Sequence, residues 1–564
     1  MAEKNQVAIL VVGAGIGGIK ASIELAERGC EVVLIESSAS LGGILSKLDQ
    51  QFADNHCGLC RMLPAWERDA ASEYCMRKGL FHENIRILTM TELISLRGEA
   101  GSFEADLRTR PRGVDPERCI GCGRCEEVCQ VEIPDLFNEA LGKVKAVHRA
   151  VPHNVPFSYV IDFDHCTRCG ECVEVCPTGA VNLETGPSEQ TLEVSSVILA
   201  TGCGLYRPGD EDPYKYNQHP DVVTALELER LLSGTGPTGG RLVKPSNGGP
   251  VHRIAWIQCV GSRNKRLGRD YCSSICCMFA LKEALLVKEQ APDTEAAVYY
   301  MDLRAYGKEG YRYQLQAEEA GVELIRCRIP SVEQGAQGEL FIKYYDEERG
   351  CIKERLYDMV VLSTGQAASP VLERAAEAAG AALNEFGLGD ARGAERVETN
   401  RAGVYWCGSS TGLQEIAETV LQAQAAACLA AGRALPALPA SSSEKHLEAR
   451  PLRDVSREKP SVGVVLCKCF NSQEKDLPWE AVQDRISSMP GVTRLIEADR
   501  LCLAEGLRQA SDELAGEKIN RIVIGACAPH VYAGRLRSLG PECGLSEDLV
   551  EVVDLRGAGL APGD

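Results

Sequence analysis

Residues 7–18 read Val7-Ala8-Ile9-Leu10-Val11-Val12-Gly13-Ala14-Gly15-Ile16-Gly17-Gly18. An apolar run of strand length ends in a turn matching G-x-G-x-x-G at Gly13, Gly15 and Gly18. In this pattern the first glycine permits a tight turn, the second lets the backbone approach a pyrophosphate, and the third allows close packing of helix on strand. Amides at the helix N-terminus then face the phosphates. Working outward, residues 19–28 carry helical spacing and residues 31–35 read as a second strand. Glu36 ends it, 18 residues after Gly18, where a carboxylate accepts hydrogen bonds from ribose hydroxyls. The plain alternative is a chance glycine turn. The flanking strand, helix and acidic residue favour a dinucleotide-binding β-α-β unit, without choosing between FAD and NAD.

The chain has 564 residues, enough for three or four domains at roughly 150 residues each. Its composition, 45% apolar and 25% charged, is that of a soluble globular protein. With 61 basic and 80 acidic side chains the net charge is −19, which excludes a basic nucleic-acid footprint and a polybasic membrane anchor. No apolar run reaches the length of a transmembrane helix. The start of the chain passes into a strand without the features of a signal peptide, so a cytoplasmic location is expected. The length rules out a small disulfide scaffold. The 26 cysteines are therefore read by spacing, which in such a chain points to metal or redox chemistry.

Two cysteine runs stand out: Cys119-x2-Cys122-x2-Cys125-x3-Cys129 and Cys166-x2-Cys169-x2-Cys172-x3-Cys176-Pro177. This is the two-cluster pattern of bacterial ferredoxins, in which the fourth thiolate of each run ligates the other cube. One cluster is expected on Cys119, Cys122, Cys125 and Cys176, the other on Cys166, Cys169, Cys172 and Cys129. Gln130 stands where proline is usual. Structural zinc is the competing reading. A third group, Cys259 at the end of a predicted strand over 253–258 and Cys272, Cys276 and Cys277 at the start of a helix, is either a ligand set or a buried thiol cluster. A fourth, Cys467, Cys469, Cys502 and Cys527, is either a ligand set or scattered thiols. Cys57 and Cys60 form a C-x-x-C pair, open to redox or ligand roles. Most of the remaining cysteines are expected to be core thiols.

The strand-turns ending Ala200-Thr201-Gly202 and Ser363-Thr364-Gly365, with the segment 403–408 before an Ala-rich helix, resemble the flavoprotein disulfide reductases with two dinucleotide domains. That resemblance implies FAD as the cofactor of the first turn. It implies a flavin contact at Gly408 and, with Ser409 replacing the usual aspartate, at Ser409. Gly43 is counted with the cofactor-binding residues.

More extensively, the chain resembles the A subunit of heterodisulfide reductase and its bacterial relatives. The resemblance rests on residues 12–36, NHCGLC at 55–60, both ferredoxin runs, residues 224–240, IQCVGSRN at 257–264, YCSSICCMFALKEALLVKE at 271–289 and YYMDLRAYGK at 299–308. It implies an α/β flavoprotein of thioredoxin-reductase type with an inserted bacterial-type ferredoxin domain and a small C-terminal α/β domain. Residues 1–110, 186–250 and 366–435 would form the FAD-binding domain, with loops and helices expected from residue 37 to 110. Residues 111–185 would be the ferredoxin insert, and 251–365 a degenerate nucleotide domain carrying a cluster. Residues 436–460, rich in Pro, Ser and charge, would be a linker. Residues 461–564 would be the last unit, with strands at 462–466, 521–524 and 549–553.

The resemblance further implies that Cys259, Cys272, Cys276 and Cys277 bind a 4Fe–4S cluster, and that Cys467, Cys469, Cys502 and Cys527 match the ligands of a domain that in larger members is N-terminal. Together with the two ferredoxin cubes this makes about four clusters. Lys282 falls where the family places a lysine beside the flavin. The family's second ferredoxin domain, C-terminal in larger members, is missing from this sequence. The implied role is electron transfer, with electron pairs split or joined at the flavin between partner subunits. Those partners would be like the B and C subunits of that reductase or electron-input subunits, with ferredoxin as a further partner. The rival reading is a stand-alone NAD(P)H-dependent disulfide reductase using Cys57 and Cys60, and a third is a structural cluster scaffold. Direct use of NAD(P)H is not expected, because residues 259–263 lack a second glycine-rich turn.

Overall fold

The strand Ser188–Leu199 organises the first sheet. The structure is a computed structural model describing residues 8–48, 80, 82–152, 154–209, 212–336, 338–347, 349–393, 396–434, 452–468, 479–501, 504–514, 518–526 and 536–555. Residues 194–199 are buried throughout, as a central strand covered on both faces requires. Ala8–Val12 lies parallel beside this strand, followed outward by Val32–Glu36 and Ile85–Thr89. On its other edge the long strand pairs twice. Its first half runs antiparallel to Ser102–Thr109, and residues 197–199 run parallel to Val404–Trp406. Segments far apart in sequence thus share one sheet. The helices Ile16–Glu27 and Ile416–Ala434 pack together over it through a row of buried alanines, Ala423, Ala426, Ala427 and Ala430. The small side chains let the two helices approach closely.

The expectation of loops and helices from residue 37 to 110 is corrected over residues 85–109. Three strands lie there, Ile85–Thr89, Thr91–Glu99 and Ser102–Thr109. Phe103, Ala105 and Leu107 alternate with exposed or half-buried neighbours, a period of two, and Gly98 and Gly101 turn the hairpin with φ of +86° and +95°.

The second sheet is fully parallel, in the order Val222–Thr224, Met359–Thr364, Arg253–Val260, Glu295–Tyr300, Val322–Arg326. Helix Cys276–Gln290 connects two of these strands and buries Met278, Leu281, Ala284 and Val287 in the core with Trp256. The strand Arg253–Val260 runs past its expected end. Cys259 sits inside it at a break in register, with φ +62°.

The insert is built from short hairpins and two short helices, Arg124–Val128 and Glu171–Glu174. Each helix is entered from a left-handed glycine, Gly123 and Gly170. A small core of Val114, Val147, Tyr159, Ile161 and Val181 holds it.

The last unit is a parallel sheet in the order Val492–Ala498, Val462–Cys467, Arg521–Ala526, Val550–Asp554, the first being a strand not expected from the sequence. The end of the stretch expected to be a linker is tied to this unit. Val455 is buried in its core, and the Arg453 amide donates to the Gly544 carbonyl at 2.9 Å. Among the described residues no helix is long and apolar enough to cross a membrane.

Candidate flavin and cluster site

The three glycines of the first turn meet three different surroundings. Gly13 holds φ +100°, and a Cβ there would lie 2.5 Å from the Ala200 carbonyl oxygen. A Cβ on Gly18 would lie 1.8 Å from the Gly13 carbonyl oxygen, so helix and turn touch only without one. A Cβ on Gly15 would meet no protein atom within 4 Å. Internal packing therefore asks nothing of Gly15. Its bareness leaves an open face at a helix N-terminus, the shape a pyrophosphate fills. Gly43, with φ +56°, closes on this turn, and its own Cβ would stand 3.0 Å from the Gly15 Cα. Glu36 holds the turn from the other side, accepting from the Ala14 amide and the Ser38 amide, both at 2.8 Å.

Beside Gly13, Glu36 and Thr201 a cavity of about 450 Å³ opens. The buried Thr201 hydroxyl finds no hydrogen-bond partner in the protein, an orphan that a ligand would satisfy. A second cavity, about 360 Å³, is mostly apolar and is lined by Ile16, Leu45, Cys276, Lys282, Ser409 and Ile416 among others. It lies at the start of the helix Ile416–Ala434, while Gly408 in the preceding turn takes φ +70° and donates its amide to Gln422 Oε1 at 3.0 Å. Ala200 and Gly202 flank Thr201 at the end of the central strand, Gly202 at φ +68°. An open phosphate face, an orphan hydroxyl and an apolar slot together fit FAD.

In the insert, like-charge interactions sort the cysteines. Burial pushes the Cys119 thiol up, and the neighbouring Cys122 and Cys176 add to this. Burial takes Cys125 up to about 12, with Cys119 and Cys122 contributing. Cys172 is raised by burial, then by Cys166, Cys169 and Cys129. Cys119 thus lies near Cys122 and Cys176, Cys125 near Cys119 and Cys122, and Cys172 near Cys166, Cys169 and Cys129. Amides of Gly121, Arg168 and Ala180 donate to the sulfurs of Cys119, Cys166 and Cys176 at 3.4, 3.4 and 3.2 Å. Such a set of crowded thiols suits a polynuclear cation that holds them as thiolates.

Cys259, Cys276 and Cys277 also meet. The Cys276 thiol hydrogen-bonds both neighbours, which lowers Cys259 to about 7 and pushes Cys276 itself well up. Arg263, held by Asp302, adds its positive charge beside Cys259, and Cys272 stands close enough to Arg304 to act on its charge. Cys467 is buried at the end of Val462–Cys467, while Cys469, Cys502, Cys527, Cys57 and Cys60 lie outside the described residues.

Lys282 lies on the same helix as Cys276, and both reach the apolar cavity. Its ammonium bonds Glu229 Oε2 at 2.5 Å, with side-chain exposures of 1% and 0%, and lies 4.3 Å from the centre of the Phe279 ring. It is therefore an ion-paired cation. Glu229 was not foreseen. Beside the pair, burial first and the Glu229 charge second hold the Glu283 carboxyl well above the carboxylate range, and Glu283 accepts from Trp256 Nε1 at 2.8 Å.

In the second sheet, where a nucleotide would sit at the end of Arg253–Val260, a Cβ on Gly261 would lie 2.0 Å from the Tyr206 ring. That ring covers the glycine, and Arg269 lies 5.0 Å from its centre.

Two family models match: an FAD dependent oxidoreductase over residues 8–63 and a 4Fe-4S dicluster domain over residues 118–180. The second match decides for iron–sulfur clusters over zinc in the insert. The chain is 38% identical over 426 residues to the A subunit of the H(2):CoB-CoM heterodisulfide,ferredoxin reductase of Methanothermobacter marburgensis, covering 75% of this chain and 63% of that one. It is 35% identical over 497 residues to the A subunit of the H(2)/formate:CoB-CoM heterodisulfide,ferredoxin reductase of Methanococcus maripaludis, covering 85% of this chain and 71% of that one. The chain belongs to the family of heterodisulfide reductase A subunits. Its cofactors are FAD and 4Fe–4S clusters. The match to the Methanothermobacter marburgensis protein spans 63% of that relative's length. Among solved structures, the T. acidophilum thioredoxin reductase is 14% identical with a TM-score of 0.42, over 76% of this chain and 99% of that one. That likeness is too loose to add to the sheet topology already described.

Proposed function

We propose that the chain is the electron-distributing subunit of a heterodisulfide-reductase-type complex, and that electron pairs are split or joined at its flavin. The observation that carries this reading is one helix, Cys276–Gln290, which presents Cys276 and Lys282 to a single apolar cavity beside Ser409. Bound FAD supplies exchange between two-electron and one-electron carriers, and 4Fe–4S clusters supply the one-electron relay. In this reading Gly13, Gly15 and Gly18 admit the pyrophosphate, Glu36 holds the ribose, and Gly43, Ala200, Thr201, Gly202, Gly408 and Ser409 complete the cradle. Lys282 places its ammonium at the cavity, held there by Glu229. Cys259, Cys272, Cys276 and Cys277 hold the cluster nearest the flavin. The two ferredoxin sets and Cys467, Cys469, Cys502 and Cys527 extend the relay. Terminal reduction of a disulfide belongs to partner subunits.

The deciding experiment uses the complex isolated anaerobically through a tag on this chain. Reduction of a low-potential ferredoxin should require simultaneous reduction of a disulfide acceptor. Ferredoxin reduction at the same rate without that acceptor would overturn electron-pair splitting.

Two further outcomes follow from the ligand sets. Iron in anaerobic protein should approach about 16 per chain, four cubes of four. A value near eight would confine clusters to the insert. The stand-alone reductase reading predicts that NADH or NADPH bleaches the flavin band of the purified chain. With Tyr206 lying over Gly261, the turn lacks the bare backbone a nucleotide's phosphates need, so stopped-flow mixing should show no rapid bleaching.

A further inference from the structure

The insert meets the flavin domain at several places: Val155 is buried in that domain's core with its amide bonded to Ser40 Oγ at 3.1 Å, Arg112 donates to the Ala39 carbonyl at 2.9 Å, and one loop makes a further contact. Residues 135–142 join the paired strands Glu132–Pro134 and Lys143–Lys145. The loop is shaped from within. Asp135 accepts from the Phe137 amide at 3.1 Å and from Asn138 Nδ2 at 2.6 Å, which fixes the Asn138 side chain. Glu139 and Ala140 take φ of +55° and +62°, two successive left-handed residues that are not glycine. Such backbone persists where its surroundings hold it.

What holds it is Arg230, 1% exposed. Its Nε donates to Asn138 Oδ1 at 2.9 Å, Nη1 to the Lys47 carbonyl at 2.6 Å and Nη2 to Thr235 Oγ1 at 2.7 Å. The guanidinium also stands 4.4 Å from the centre of the Phe137 ring. Lys47 returns the grip, with its ammonium bonded to Glu139 and, at 2.8 Å, to the Leu136 carbonyl. Arg207 bonds Glu139 from the other side at 2.6 Å.

The two ends of this clasp are the flavin wall and the cluster domain. Lys47 ends the turn Gly43–Lys47, whose Ile44 and Leu45 line the apolar cavity with Leu48. Arg230 follows Glu229, the partner of Lys282, on the helix Ala225–Leu232. We propose that Arg230 is a positioning residue that fixes the ferredoxin insert at its working distance from the flavin, and that flavin binding and insert docking are coupled through Lys47. The planar fork suits this task, since it reaches three acceptors on three segments at once. Coupling is reciprocal: a bound flavin that orders the turn Gly43–Lys47 tightens the clasp, and a broken clasp weakens the flavin site.

This proposal rests on the electron-distribution reading, and its test separates the two. Arg230→Met, Arg230→Lys and the insert-side pair Asn138→Ala and Glu139→Gln are made in the full chain, purified anaerobically. FAD, iron and the cluster EPR signals are measured first. Wild-type protein lacking FAD or the insert's clusters would sink the parent reading, whatever the variants do. Electron equilibration between flavin and clusters is then followed after a one-electron pulse, with hydrogen exchange over residues 132–145 with and without FAD. Arg230→Met should slow equilibration roughly tenfold or more at unchanged iron, since a small misplacement costs rates steeply. The loop's protection by FAD should vanish, and Arg230→Lys should recover part of both. If Arg230→Met fails to fold, the milder Asn138→Ala and Glu139→Gln carry the test. Unchanged equilibration and unchanged FAD-dependent protection in the folded variants would overturn the proposal.

Discussion

Gly15→Val should give a folded chain that has lost its FAD. The two halves of that result have separate causes. A Cβ at Gly15 meets no protein atom within 4 Å, and Gly15 is not among the glycines with positive φ, so the side chain strains neither packing nor backbone. The isopropyl group instead enters the space left for the pyrophosphate, where phosphates must lie against bare backbone. Gly18→Ala is the contrast, because its Cβ would stand 1.8 Å from the Gly13 carbonyl oxygen and must push the helix off the turn. The measurement is flavin absorbance per chain together with circular dichroism. Gly15→Val should keep its secondary structure, keep iron in the insert and bind little flavin. Gly18→Ala should lose flavin and thermal stability together. A Gly15→Val chain with full flavin would remove FAD from this turn.

The turn and the ferredoxin runs are legible in the sequence because their chemistry is local. Three glycines at fixed offsets each answer to a near neighbour, and cysteines two and three residues apart must share a loop. The exchange of Cys176 and Cys129 between the two runs is an expectation from the repeated pattern. The hairpin of Thr91–Glu99 and Ser102–Thr109 escapes because its strands alternate over short spans flanked by charge, and only pairing with Ser188–Leu199 makes them part of a sheet. The helix Ala225–Leu232 is hidden more deeply. Alone, ALELERLL reads as an amphipathic helix with Glu229 and Arg230 turned to water. Tertiary packing brings Lys282 to one side and the insert's loop to the other. Both charges are then buried against partners 53 and 92 residues away, which the stretch itself does not announce. The ion pair at the flavin cavity and the clasp on the insert are both products of that packing.

Lys282→Met should be the most destabilising single change at the site, at about 3–5 kcal/mol, the usual cost of leaving one partner of a buried ion pair uncompensated. The local reason is sharper than the average. Glu229 is fully buried, and Glu283, already held well above the carboxylate range by burial and by Glu229, offers it no positive charge. Burial keeps Glu283 protonated in the folded chain above the ordinary carboxylate range, where the unfolded chain releases that proton, so stability falls as pH rises and recovers as pH is lowered. Replacing both partners, Lys282→Met with Glu229→Met, removes the buried charge altogether and should regain most of the loss, since an apolar pair of similar volume can match a buried ion pair. Thermal release of flavin fluorescence across a pH series reads all three chains. Equal stability of wild type and Lys282→Met at neutral pH, or a double variant no better than the single one, would show that Glu229 is not the group Lys282 neutralises. The same series isolates function from stability: the double variant, folded but without a cation in the cavity, should bind FAD and fail to pass electrons between flavin and clusters at the wild-type rate if the charge of Lys282 is what the flavin site requires.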